Sequence, residues 1–373
     1  MFARGPALFC LTLFPFFHFE TCRLFNTCYL PLVSDSIGQT KKALRLAVCG
    51  RCKAKNWISS ELEAFSTVPC SKCGHPVLLT LHIRQFELRE VIASGGMGTV
   101  YRSFDTTLQR EVAIKLLKRE MAEDKEVLES FYREARAGAS LNHTNIIHIY
   151  TFDEFEGQSY LVMELADHGS LDSRIEKEGH LPELKVLDVG IAIASALDTA
   201  LKHNLLHRDI KPGNILFNAD GEPKLVDFGL ARNTEDGEEH ESTVWGTPYY
   251  VAPEKIKRER EDFLSDMYSL GGTLYHALTG HVPFEANTVE EVIAGHVHTA
   301  LTPPYQVNPE ITVPTSEAIT IAMAKNPDER YASYDEFIMA LTAAKSQLLV
   351  RKYRHQADPE PEPESQPKSW WKR

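Results

Sequence analysis

The chain has no cysteine beyond Cys73, no apolar run of membrane-spanning length, no surplus of positive charge and no internal repeat. Each absence removes a class of protein. A disulfide-stapled secreted domain distributes cysteines through its fold. Here Cys10, Cys22, Cys28, Cys49, Cys52, Cys70 and Cys73 all precede the larger part of the 373-residue chain, so a reducing compartment is expected. The apolar stretch Ala7 to Phe19 is 13 residues long and contains Pro15, well short of the about 20 apolar residues a spanning helix needs. Arg4 ahead of it loosely suggests an export signal, but no clear small-residue cleavage site follows. A cytoplasmic location is therefore expected, with membrane contact through residues 1–30 the disfavoured alternative. A formal net charge of -12 argues against a protein built to coat nucleic acid or an anionic membrane.

What is present divides the chain. Residues 1–45 read as an apolar extension and connector, and residues 46–80 as a cysteine module. From Phe86 to about Leu117 the segments are short and β-rich, and "EVLESFYREARAGASLNH" places Val127, Leu128, Phe131, Ala135 and Ala139 at helical spacings. Strand-like "IIHIYTF" and "SYLVMEL" follow, and from Ser170 onward the pattern is mainly helical. Strands first and helices later predict an α+β fold with two unlike lobes, about 86–165 and 166–344. Residues 345–373, ending in "ADPEPEPESQPKSWWKR", read as a polar, disordered tail.

In the cysteine module, "CGRC" and "CSKC" are 17 residues apart. Two C-x-x-C turns at that spacing, with Gly50 and Gly74 in or beside them, favour a tetrahedral thiolate shell of Cys49, Cys52, Cys70 and Cys73 for Zn2+ over a redox dithiol. The module resembles a zinc ribbon.

The stretch "IASGGMGTVY" nearly spells G-x-G-x-x-G, but Ala93 stands where the first glycine belongs. A dinucleotide loop opens a helix at its last glycine. Gly98 instead leads into β-forming "TVYRSFD" and "EVAIKLL", which makes the loop the turn of a hairpin. With "VAIK", "FYREAR", "HRDIKPGN", "VDFG" and "GTPYYVAPE" following in that order, residues 86–344 resemble a bacterial-kind, eukaryotic-type serine/threonine protein kinase. Taken singly, most of these residues are as easily surface charge or core; the ordered series carries the reading.

The resemblance implies a two-lobed kinase fold, with a small antiparallel β lobe carrying one regulatory helix and a larger helical lobe. It also implies ATP and Mg2+ (or Mn2+) as cofactors and transfer of the γ-phosphate to Ser/Thr hydroxyls of proteins. Lys115 would grip the α- and β-phosphates, with Glu134 as its ion-pair partner. Asp209 would take or orient the proton of the substrate hydroxyl, beside Lys211, a residue type that argues for serine/threonine specificity. Asn214 and Asp227 would hold the cation with hard oxygen ligands. The nucleotide would lie against Ile92, Ala93, Ser94, Gly95, Gly96, Met97, Gly98, Thr99 and Val100. Its adenine would sit between Val100, Ala113 and Leu216, with Met163 as gatekeeper and the backbone of Glu164 and Leu165 as hydrogen-bonding hinge. Asp266 would brace the catalytic loop and Glu254 would pair with Arg330.

Arg208 before Asp209 implies control by activation-segment phosphorylation, with phosphate on Ser242 or Thr243 meeting Arg208 and Arg232, and with Thr247 packed near Asp209. Self-association for autophosphorylation fits that scheme. Gly138, four residues after Glu134, stands where related kinases carry a bulky apolar side chain, so looser packing is expected there, with a mobile helix whose pair with Lys115 forms fully only on activation. A nucleotide-binding scaffold without catalysis is the first alternative, disfavoured because Lys115, Asp209 and Asp227 are all present. A protein whose zinc ribbon is the functional binding part is the second.

Overall fold

The computed structural model describes residues 44–49, 51–59, 67–78, 81–95, 98–118, 124–155, 157–228, 232–233 and 248–357. The chain divides into two compact units, Met1–Leu81 and His82–Arg373. In the first, β1 (Leu44–Val48) pairs antiparallel with β2 (Lys55–Ser59), and β3 (Thr67–Pro69) with β4 (Pro76–Leu78). Strand alternation turns Asn56 and Ile58 inward and Lys55 and Trp57 to solvent. Among the described residues, the buried cluster of this unit is Cys49, Ile58, Cys70 and Val77.

The second unit opens with an antiparallel sheet of β5 (Leu81–Ile83), β6 (Phe86–Ser94), β7 (Gly98–Asp105), β8 (Arg110–Leu117), β9 (Ile149–Phe155) and β10 (Gln158–Met163), in the order β5-β6-β7-β8-β10-β9. Helix α1 (Lys125–Ser140) lies against it, burying Phe131 and Ala135 with Leu117, Ile149 and Leu161.

The remainder is mainly helical: α2 (Leu171–Glu178), α3 (Glu183–Lys202), α4 (Pro253–Ile256), α5 (Phe263–Thr279), α6 (Val289–His298), α7 (Pro304–Val307), α8 (Val313–Ala322) and α9 (Tyr334–Ala357). Between α3 and α4 lie β11 (Leu205–Leu206), β12 (Ile215–Phe217), β13 (Pro223–Leu225) and β14 (Arg232–Asn233), paired β11 with β14 and β12 with β13. The apolar faces of α3, α5 and α9 meet through Ile193, Leu197, Leu270, Leu274, Phe337 and Leu341. Local chemistry sets the ends: Ser170 and Ser173 form a reciprocal capping box on α2, and Asp262 caps α5, which stops at Gly280 with φ 76°. The result is the two-lobed α+β architecture read from the sequence.

One boundary differs. Helix α9 runs to Ala357, so residues 345–357 are not the polar tail that composition suggested. Leu348 packs on the helical core and Lys345 Nζ meets Asp188 Oδ1 at 2.6 Å, which together extend the helix. Residues 1–43 and 358–373 lie outside the described residues, and among those described no helix is long and apolar enough to cross a membrane.

Candidate functional site

The sheet registers bring the first group of residues together. Lys115 points from β8 to Glu134 on α1, its Nζ donating to Oε1 at 2.8 Å and Oε2 at 2.6 Å. The pair is closed here, although the sequence led us to expect full closure only on activation. Burial pushes the Glu134 carboxyl above its ordinary range; Lys115 pulls it back and the nearby Asp227 adds to the rise.

Gly138 also departs from expectation. A Cβ at that position would lie 2.2 Å from Ile149 Cδ1, so Ile149 of β9 fills the space the missing side chain leaves. Ile149 in turn pairs with Met163 across β9 and β10. The packing is therefore complementary, and not loosened.

In the hairpin, Ala93 sits in β6 opposite Val100 and avoids the left-handed region, so the methyl group costs nothing sterically. Gly95 N donates to Gly98 O at 2.9 Å, and Ser94 Oγ lies 3.5 Å from Thr99 Oγ1. A Cβ on Gly98 would fall 2.3 Å from Leu116 O, so this glycine is demanded by the neighbouring strand as well as by any ligand. Ile92 precedes Ala93 on β6. Gly96 and Met97 lie outside the described residues.

Ala113 pairs with Met163, and the isolated bridge from Ser170 to Leu216 sets Leu216 beneath the segment that follows Leu165. Glu164 N donates to His148 O at 2.8 Å, which leaves only the carbonyl of residue 164 for a ligand. The Glu164 carboxylate is held at 2.7 Å by Lys224, a buried lysine from β13 that no motif singles out.

The second group lies on the loop after β11. Asp266 Oδ2 and Oδ1 accept from the backbone N–H of His207 at 2.7 Å and of Arg208 at 2.8 Å, as the resemblance implied. His207 Nε2 donates to Val226 O at 3.0 Å, which fixes the tautomer and leaves Nδ1 to accept from Asp209 N at 3.3 Å. Lys211 Nζ meets Asp209 Oδ2 at 2.7 Å. Asn214 Nδ2 donates to Asp209 O at 2.8 Å and Oδ2 at 2.9 Å, leaving its amide oxygen uncommitted to Asp209. Val226 N donates to Asn214 O at 3.0 Å, tying this loop to the strand that leads to Asp227. Arg208 and Asp227 have φ of 67° and 69°, left-handed conformations that such residues rarely hold and that often mark functional sites.

Arg208 Nε lies 3.8 Å from Glu261 Oε2, and Lys255 Nζ donates to Arg208 O at 3.0 Å. Glu254 and Arg330 form a buried fork, Nη1 to Oε1 at 2.7 Å and Nη2 to Oε2 at 2.8 Å. The side chain of Arg232, and Ser242, Thr243 and Thr247 entirely, lie outside the described residues.

In the first unit the four sulfurs lie within 4.8 Å of one another, with Cys49 Sγ to Cys73 Sγ 3.7 Å and Cys52 Sγ to Cys70 Sγ 3.6 Å. A tetrahedral shell with Zn–S of about 2.3 Å needs sulfurs about 3.8 Å apart, so the four fit that ion. The two turns match: Cys49 N donates to Ala54 O and Lys53 N to Cys49 O, just as Cys70 N donates to His75 O and Gly74 N to Cys70 O. Buried Asn56, which no motif announced, accepts from Ser71 N at 2.8 Å and lies with Nδ2 3.7 Å from Cys70 Sγ.

Comparison with known proteins gives a family and relatives. The family described as "Protein kinase domain" matches residues 86–344. A probable serine/threonine-protein kinase of Clostridium acetobutylicum is 34% identical over 271 residues, 72% of this chain and 41% of that protein. Serine/threonine-protein kinase PknE of Mycobacterium tuberculosis is 36% identical over 261 residues, 69% of this chain and 46% of its own length. Serine/threonine-protein kinase PknB of Mycobacterium leprae is 34% identical over 258 residues, 68% of this chain and 42% of its own length. This chain spans less than half the length of each.

Proposed function

We propose, on the premise that this chain belongs to the protein kinase domain family, that it is a serine/threonine protein kinase transferring the γ-phosphate of ATP to protein hydroxyls. The observation that carries the reading is the convergence of Lys211 and Asn214 on Asp209, in a loop held by Asp266, together with a closed Lys115–Glu134 pair.

Phosphoryl transfer asks little covalent chemistry of a protein. It asks for positioning and for neutralisation of charged oxygens. Lys115 supplies a cation for the phosphates, kept in place by Glu134. Asp209 accepts the proton of the incoming hydroxyl, and Lys211 at 2.7 Å stabilises its carboxylate and lies ready for the γ-phosphate. The amide oxygen of Asn214 and the carboxylate of Asp227 are the hard donors that suit Mg2+, and the ion, when bound, offsets the charge of the phosphate oxygens. Val100, Ala113, Met163 and Leu216 line the adenine site, with the Glu164 carbonyl and the Leu165 backbone at its edge.

A phosphoryl group on Ser242 or Thr243 pairs with Arg208 and Arg232 and orders the activation segment, and a second copy of the chain is the natural source of that group. The cysteine module is a zinc ribbon in which Cys49, Cys52, Cys70 and Cys73 hold one structural Zn2+ and Asn56 braces the second turn. Elemental analysis of the purified protein is expected to give one zinc per chain, and none in a Cys70→Ser, Cys73→Ser variant.

The test of the kinase reading is phosphate incorporation from labelled Mg-ATP into a generic protein substrate. Asp209→Asn is expected to lower it by at least about 100-fold, the usual worth of a positioned base. Incorporation that persists in this variant at the wild-type rate would overturn the assignment.

A further inference from the structure

Arg102 belongs to no motif, yet it ties the roof of the nucleotide cleft to its floor. It sits on β7 two residues after Val100, so both side chains leave the same face of the hairpin. Its strand neighbours are Glu90 on β6 and the small Ala113 on β8. Its Nη2 is ion-paired with Asp167 Oδ2.

Asp167 lies two residues beyond Leu165, on the segment that passes over Leu216. That segment is fixed: His168 N donates to Phe217 O at 3.0 Å, and Ser170 bridges Leu216 before capping α2. The Asp167 side chain is only 7% exposed, and His168 Nδ1 approaches its other oxygen at 3.2 Å. One end of the pair is therefore rigid and largely desolvated. The other end, at 39% exposure, rides on the hairpin that carries Val100.

We propose that Arg102 and Asp167 form a latch across the mouth of the cleft that sets how fast bound nucleotide leaves. Arg102 is thus a positioning residue, acting through the strand that holds Val100 over the base. The inference rests on the nucleotide-binding reading above. Lifting the hairpin away from residues 166–170 separates the two charges, so opening costs more with the pair than without it. Because the arginine end is open to solvent, salt screens the pair and weakens the latch.

The experiment follows dissociation of a fluorescent ADP analogue from the full chain by stopped flow. Arg102→Leu and Asp167→Asn are each expected to speed release by about fivefold, the upper range for a partly exposed pair, and the double variant by no more than either alone. Release from the wild type is expected to quicken between low and high salt, while both single variants stay flat. Arg102→Lys, which keeps the charge on a shorter reach, is expected to fall between. Matching melting temperatures exclude a general loss of fold as the cause.

Rates within twofold of wild type in both single variants, or effects that multiply in the double variant, overturn the latch. A wild type that binds the analogue but releases it independently of salt also counts against it. Failure of the wild type to bind the analogue at all overturns the nucleotide reading itself, and the two failures are thus told apart.

Discussion

At the scale of single residues, Glu134 couples the proposed kinase chemistry to pH. The carboxyl must be ionised to hold Lys115, yet burial raises its pKa above the ordinary glutamate value. On acidification it takes up a proton earlier than a surface glutamate and releases Lys115. We expect kcat/KM for ATP to fall on the acid side with a midpoint above the usual carboxylate range, and Glu134→Gln to lower activity and abolish that limb. The linkage sign for stability is opposite: a raised folded value means the native state binds the proton more tightly, so this group's contribution to stability falls as pH rises from the unfolded to the folded pKa. Gly138 shows the same dependence on a neighbour. With a Cβ only 2.2 Å from Ile149 Cδ1, Gly138→Leu overpacks the site and is expected to cost about 1–3 kcal/mol in denaturant unfolding, recovered in part by Ile149→Ala. A fully stable, fully active Gly138→Leu variant would contradict this packing.

At the scale of elements, the two cysteine turns are alike in hydrogen bonding but not in sequence. Gly74 takes φ 68° in the second, while Lys53 takes φ 58° at the equivalent place in the first. A left-handed lysine costs about 1–2 kcal/mol relative to glycine, so Lys53→Gly is expected to raise the thermal midpoint of the cysteine module, measured by its own circular dichroism or NMR signals. In the helical lobe, Arg330 joins α4 to α5. Besides the fork on Glu254, its Nη1 donates to Leu264 O at 2.8 Å, and its guanidinium stands 4.9 Å above the Tyr268 ring. Burial pushes the Glu254 carboxyl up, but the hydrogen bonds and charge of Arg330 outweigh it and leave the pKa lowered. Removing one partner strands a buried charge, so Arg330→Ala is expected to cost about 3–5 kcal/mol.

At the scale of the whole molecule, stability should depend on pH through His296. It is fully buried, its Nδ1 2.8 Å from the Tyr268 hydroxyl, and burial lowers its pKa from 6.5 to about 4, helped by the positive charge of Lys325. The unfolded chain binds a proton there between those two values and the folded chain does not. Stability is therefore expected to fall as pH drops from about 6.5 to about 4. His296→Gln should flatten that part of the profile in a thermal scan across the range.

The amino-acid sequence by itself determined the α+β order of elements, the cysteine spacing and the motifs placing Lys115, Asp209, Asn214 and Asp227, because these depend on residue type and local spacing. Periodicity placed α1 within a few residues for the same reason. Only the tertiary structure decided what fills the space beside Gly138, that Lys224 holds Glu164, that Asn56 braces Cys70 and that Arg102 reaches Asp167. Each of these joins side chains distant along the chain, and no period or spacing encodes such a pair. The far end of α9 belongs with them. Composition alone reads its lysines and arginines as tail, and it is the packing of Leu348 and the ion pair of Lys345 with Asp188 that keep it helical.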